Sequence, residues 1–459
     1  MAADLIAHGS GYPATAPVAS SVGDECTMEA TTTAERTGPA DGARHAASRR
    51  RFCAIAGALL LLAAAGCAEP ITSPSDRVDE IARLPRALSA AEVEIIGANN
   101  RFAFDLLDQA NRPNGNLLIS PLSASMALGM TMNGASGDTW SQMRDMLGFR
   151  SLAEEEINAS YQSLLELLVG LDPAVETAIG NSVWTRQGFP VHSDFLDTVR
   201  ESFHAEAVEL DFASPAASER INEWVKAATR GRIEDIVPAR IPAAVVMYLI
   251  NAISFKGPWT LRFDPADTRP EPFHLDDGST RTVPLMTLQG ELSYQETSRF
   301  QAVDLPYGGG AFSMTVLLPQ YGVSVDDLAT SLGAVEWKEI ADSFHKTDMQ
   351  LFMPRFRMAY ERTLNDDLAA LGMVDAFDRR ADFTRLSPVE GLLISEVKQK
   401  SWVDVNEEGT EAAAATVVEV RETSAAPVFR ADRPFLFLIR ERLSGTILFV
   451  GKLASPPDG

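Results

Sequence analysis

Cysteine is almost missing from this sequence of 459 residues: Cys26, Cys53 and Cys67 are all it has, and all lie near the start. Beyond Cys67 the chain can form neither a disulfide framework nor a thiolate metal site. Positive charge is scarce too. Forty Lys and Arg stand against 63 Asp and Glu, a net charge of −23. That opposes nucleic-acid binding, which needs a clustered positive surface. After Cys67 histidine is reduced to His192, His204, His274 and His345, none at metal-ligand spacing to another. No G-x-S-x-G elbow, Walker loop, G-x-G-x-x-G, H-E-x-x-H or C-x-x-C occurs. A Ser-His-Asp triad assembles in space, so sequence order does not rule on it. Each isolated His reads more simply as a surface or capping residue. Glu154-Glu155-Glu156 and Asp366-Asp367 fall near expected helix starts, where acids are ordinarily stabilising. Gly308-Gly309-Gly310 sits between two expected strands and reads as a hairpin turn. The sequence offers no catalytic residue, metal site or cofactor.

What is present is apolar material in quantity. A hydrophobic share of 46%, with 26 Pro and 31 Gly, suits a large globular chain and neither disorder nor low complexity. Residues 1–48 show no helical or strand period and read as disordered or untranslated, with Met28 an alternative start. Ser48-Arg49-Arg50-Arg51-Phe52-Cys53 then precedes an apolar run over 54–66, too short to span a bilayer but suited to a secretory signal. The Ser-Arg-Arg-x-Phe order resembles a twin-arginine export signal. Ala64-Ala65-Gly66-Cys67 resembles a bacterial lipoprotein cleavage box, with the Cys67 thiol taking the lipid. A plain signal peptide cut after an alanine is the alternative. Pro70, Pro74 and Pro85 mark the stretch after Cys67 as a tether. The expected location is the cell envelope, periplasm or outer membrane, or the medium. The chain divides into a leader 1–66, a tether 67–86 and one domain 87–459.

Helical spacing runs through 90–112, 121–133, 138–147, 152–169, 196–203 and 217–229. Strand patterns occupy 245–255, 301–305, 313–318, 348–356, 435–440 and 446–453. Helices first and antiparallel strands later, without βαβ spacing, give a mixed α+β fold.

One segment fits neither loop nor helix. Glu407-Glu408-Gly409-Thr410-Glu411-Ala412-Ala413-Ala414-Ala415 leads into Thr416-Val417-Val418-Glu419-Val420. With period two, one face carries Thr410, Ala412, Ala414, Thr416, Val418 and Val420, small and then apolar. The other carries the charges, as in a strand with one buried side. The segment reads either as an ordinary strand or as one exposed in one state and inserted in another.

With these residues set out, the chain resembles the serpins, protease inhibitors of the suicide type, over residues 87–454. The blocks that carry the likeness are Asn116-Leu117-Leu118-Ile119-Ser120-Pro121-Leu122-Ser123, Asn133-Gly134-Ala135-Ser136-Gly137-Asp138-Thr139 and Asn251-Ala252-Ile253-Ser254-Phe255-Lys256-Gly257-Pro258-Trp259. Leu305-Pro306-Tyr307, Met353-Pro354-Arg355-Phe356, the hinge from Asp404 to Ala413 and Pro434-Phe435-Leu436-Phe437-Leu438-Ile439 complete the set. The resemblance implies helices around three β-sheets and a reactive loop at about 407–433, exposed until a protease cuts it and then inserted into the main sheet. It implies a hinge at Glu407–Ala415 and a shutter and breach at Ser120, Ser123, Asn251 and Trp259. Gln399 stands where many members carry His. The family's usual spacing from Glu407, and separately from Pro434-Phe435, places the cut bond at Thr423–Ser424, with Arg421 as second choice. Thr423 suits an elastase-like or subtilisin-like serine protease as partner; cysteine proteases are a further target class. The expected species is a monomer without a heparin site, since 152–169 holds four Glu and no Lys or Arg. A non-inhibitory binding or chaperone-like role is the alternative.

Overall fold

The computed structural model describes residues 1–7, 80–410 and 427–457. Helices come first because their seeds are local. Ser89 caps the helix Ala90–Ala110 in a reciprocal capping box with Glu92. Ser120 caps Pro121–Met132, whose residues are buried all round, so this helix lies inside the molecule rather than on it. Glu154–Leu168, Ser193–Phe203 and Pro215–Ala228 form within a few residues of the expected spans.

The first sheet runs in the order Phe356–Thr363, Leu392–Asn406, a shared slot, Val245–Pro258, Glu176–Arg186 and Glu206–Leu210. Two short strands share the slot. Gly409–Thr410 pairs antiparallel with both neighbours at one end, and Ala2–Ala7 pairs antiparallel with both farther along. The second sheet joins nine strands, among them Phe300–Tyr307, Phe312–Pro319, Phe435–Glu441 and Ile447–Leu453. The long strand Thr280–Glu296 pairs with three others and makes continuous what the resemblance describes as two separate sheets. The α+β class and the expected architecture stand. The turn at Gly308–Gly310 does join two antiparallel strands, with both of those glycines at positive φ.

One main core fills the space between the sheets and around the buried helix. A smaller one, with Trp184, Ile221, Val225 and Tyr248, covers the other face of the first sheet.

The reading of residues 1–48 as without strand period is corrected at its start. Ala2–Ala7 forms a strand belonging to the same compact unit as the main domain. Six residues are too few to display a period, and here the two flanking strands supply the hydrogen bonds. Cys67, the rest of the leader and residues 68–79 of the tether lie outside the described residues, whereas 80–86 are described and Arg86 already pairs with Glu92.

Candidate functional site

The hinge enters the slot at its mouth. Asn406 ends its strand by folding its side chain back: its Oδ1 accepts from the Glu408 N–H at 3.0 Å and from Gly409 at 3.2 Å, an Asx-type turn. Trp259 closes the other side. Its backbone N–H donates to Glu408 O at 2.9 Å, and its indole Nε1 donates to Asn406 O, also at 2.9 Å. The Trp259 ring stacks on Tyr307 at 4.4 Å between centroids, nearly parallel, a contact worth on the order of 0.5–1.5 kcal/mol beyond area burial. Glu407 is buried, and its carboxylate accepts from the Thr268 hydroxyl at 2.8 Å while Arg355 stands 3.8 Å away.

Gly409 passes so near the neighbouring strand that no side chain fits. A Cβ there would lie 2.6 Å from Pro258 Cα and closer still to the Gly257 carbonyl oxygen. Thr410 turns its hydroxyl inward, 2.7 Å from the Tyr307 hydroxyl, and is almost fully buried. Burial pushes the Tyr307 phenol well above its ordinary pKa, so it stays a neutral partner at any ordinary pH. Thr410, the first member of the period-two face expected from the sequence, therefore points inward.

Farther along the sheet, Ser120, Ser123, Asn251 and Gln399 come together from separate stretches of sequence, all buried. Gln399 uses both ends of its amide on one residue: Nε2 donates to Ser120 O at 2.8 Å, and Oε1 accepts from Ser120 N–H at 3.1 Å. The Ser120 hydroxyl donates to Leu448 O at 2.7 Å, tying the buried helix to the second sheet. Asn251 donates from Nδ2 to Asn181 Oδ1 at 2.8 Å. Its own Oδ1 is buried and has no partner. Gln399 thus clamps the helix start to the strand beside the slot. Gln399→Ala would strand a buried N–H and a buried C=O, at about 1–3 kcal/mol each. A thermal melt of the uncut protein should show a fall of several degrees; an unchanged melting temperature would discard the clamp.

Sequence reasoning missed Tyr307 as the hinge's hydroxyl partner, Asn181 as the partner of Asn251, and Asn406 as the turn former. Tyr307 belongs to the block Leu305-Pro306-Tyr307, and an Asn directly before Glu407-Glu408-Gly409 is itself a turn signal. Glu411–Ala415, Arg421, Thr423 and Ser424 lie outside the described residues, and so does Cys67.

Comparison with known proteins agrees with this architecture. The family model Serpin (serine protease inhibitor) matches residues 97–456. A serpin-like protein of Thermococcus kodakarensis is 36% identical over 382 residues, covering 80% of this chain and 87% of its own. The leukocyte elastase inhibitor of Sus scrofa is 35% identical, covering 79% of this chain and all of its own. Among solved structures, the thermophilic serpin tengpin in its native state superposes with a TM-score of 0.73 at 28% identity, over 83% of this chain and 98% of its own. Human thyroxine-binding globulin, complexed with thyroxine, matches with a TM-score of 0.73 at 28% identity, over 80% of this chain and all of its own. A hinge held at the mouth of a strand-wide slot, a clamped buried helix and a family match over nearly all of the described domain lead to one conclusion: the chain belongs to the serpin family.

Proposed function

We propose that the protein is a suicide-type inhibitor of serine proteases, acting as a consumed substrate and not as a catalyst. The observation that carries this is the hinge pair Gly409–Thr410, seated between Leu392–Asn406 and Val245–Pro258 with the small-residue run directly behind it. The protease serine attacks the Thr423 carbonyl. The Thr423–Ser424 amide breaks, Ser424 leaves as a free amine with the proton, and an ester joins Thr423 to the enzyme. The freed loop then adds as a strand. Each new ladder bond is worth on the order of 0.5–1.5 kcal/mol net, and each buried valine on the order of 1.5–3 kcal/mol. Over about a dozen residues that exceeds roughly ten kcal/mol, enough to drag the acylated enzyme and hold the uncut state only kinetically.

Thr423 before the bond favours an elastase-like or subtilisin-like target, and the likeness to a leukocyte elastase inhibitor points the same way. Export and anchoring through lipid at Cys67 complete the proposal. Mixing the protein, freed of residues 1–66, with such proteases should give a covalent band on a denaturing gel, and mass spectrometry of the released C-terminal peptide should show it starting at Ser424. Cleavage with no stable complex for any of them would favour a binding role instead.

A further inference from the structure

The slot that the cut loop would fill already holds a peptide, and that peptide is the chain's own start. Ala2 pairs with Ile250 on one side and Lys398 on the other, and Ala3 pairs with Leu249 and Val397. Continued from Thr410 along either flanking strand, the loop's register brings Val417 to the residues that Ala2 pairs with and Val418 to those of Ala3. Asp4 stands where Glu419 would stand, beside Tyr248 and Glu396. Leu5 meets Met247, as Val420 would along that strand.

The two segments also match in character. Met1, Ala3 and Leu5 join the main core, as the face bearing Thr416, Val418 and Val420 would, and Leu5 is fully buried. Ala2 and Ile6 pack against the smaller core on the opposite face. Each segment has an acid at the same rung, opposite Glu396. Asp4 is held there by the Ser395 hydroxyl, 2.7 Å from its Oδ1.

We propose that residues 1–7 are a built-in occupant of the loop's insertion slot, which makes the leader-bearing chain a protease substrate until the segment leaves. The proposal rests on loop insertion as the working step. The hinge and the alanine run have room to enter, but Thr416 and everything after it meet an occupied site. The acyl-enzyme is then stalled before it is carried down the sheet. In that interval water hydrolyses the Thr423 ester, giving free protease and a chain ending at Thr423.

The occupant is the weaker of the two candidates. Met1 lies opposite Asn251, with backbone bonds between them in both directions. A methionine leaves the buried Asn251 Oδ1 without a donor; Thr416 at that rung would bring a hydroxyl to the same face. Any cut that removes residues 1–66, as processing at Cys67 would, takes the occupant's covalent tether away.

The test uses the full chain and hydrogen exchange followed by peptide mass. In the unaltered chain the amides of residues 2–6 should exchange slowly, as amides within a sheet do. In Leu5→Asp, and independently in Ala3→Glu, they should exchange at once. Complete exchange at the first time point in the unaltered chain overturns the proposal. On a denaturing gel with an elastase-like protease, the covalent band should rise by about tenfold or more in both variants, since a buried unpaired charge expels the segment. Equal bands from variants and parent also overturn it while leaving the inhibitory reading intact. Protected residues 2–6 with no band from any form would keep slot occupancy, remove the inhibitory reading, and with it the claim that occupancy controls inhibition.

Discussion

In the chain freed of residues 1–66, Thr410→Arg should abolish covalent complex formation while leaving loop cleavage as fast as before. Thr410 is the first inward-facing residue of the segment that must insert, and its surroundings are already complete. Its side chain is almost entirely shielded, its hydroxyl meets that of Tyr307, and Tyr307 is in turn held flat against Trp259. An arginine would have to leave a guanidinium beside two neutral rings, and Asp304, the acid whose charge reaches Tyr307, is already paired with Arg440 and Arg442. The effective penalty for such a buried, unpartnered ion is several kcal/mol. With the cut bond proposed at Thr423–Ser424, well beyond the hinge, the protease still cuts. The acyl-enzyme, no longer carried away, hydrolyses. Titration against a fixed amount of protease should show the number of inhibitor molecules consumed per enzyme rising by more than about tenfold, the factor that roughly 1.4 kcal/mol of lost driving force already makes. Thr410→Ser keeps the hydroxyl and should behave as the parent. Undiminished complex from Thr410→Arg would remove insertion through this hinge from the mechanism.

How far the sequence led depends on whether the signal was local. The hinge segment stood out because, read with period two, one face is small and then apolar while the few charges fall on the other, which suits a strand with one buried side. Helix starts were legible where a capping residue announced them, as at Ser89 and Ser120. The strand Leu392–Asn406 was not among the expected strands, because one of its faces carries Glu396, Lys398, Lys400 and Asp404 and the polar Gln399 and Ser401 interrupt its buried face. In the folded chain that charged face is answered by neighbours: Lys400 lies 3.1 Å from Glu361 and 2.9 Å from Asp235. The pair Asn251 and Asn181 meets only because two strands lie in register, which no sequence spacing encodes. Ala2–Ala7 was the furthest from reach. Six residues, apolar but for Asp4, show no period of their own, and only the pairing on both sides places them in the slot.

Gly409→Val should cost both the hinge and the trap, and more of each than any neighbouring substitution except Thr410→Arg. Two independent constraints act on this residue. Its φ of +148° is one that side-chain-bearing residues rarely adopt, at a cost of order 1–3 kcal/mol. A Cβ would also press on the backbone of Gly257, Pro258 and Trp259 rather than on a side chain able to rotate aside, which adds about 1–3 kcal/mol for overpacking. The relief available is for the hinge to leave the slot. That breaks the Trp259 N–H to Glu408 bond and separates Thr410 from Tyr307. Gly409→Ala should show the same loss in reduced form, because it meets the same two constraints without the branched methyls. A melt of the uncut chain should fall by several degrees for valine, and its covalent complex with an elastase-like protease should drop at least about tenfold for a lost driving force of ~1.4 kcal/mol or more. The result that separates this account from general damage is the cleavage rate. If the hinge alone is displaced, the loop is cut at the parental rate or faster and the protease walks away. If cleavage slows along with complex formation, the substitution has unfolded the region, and the steric argument for Gly409 loses its force.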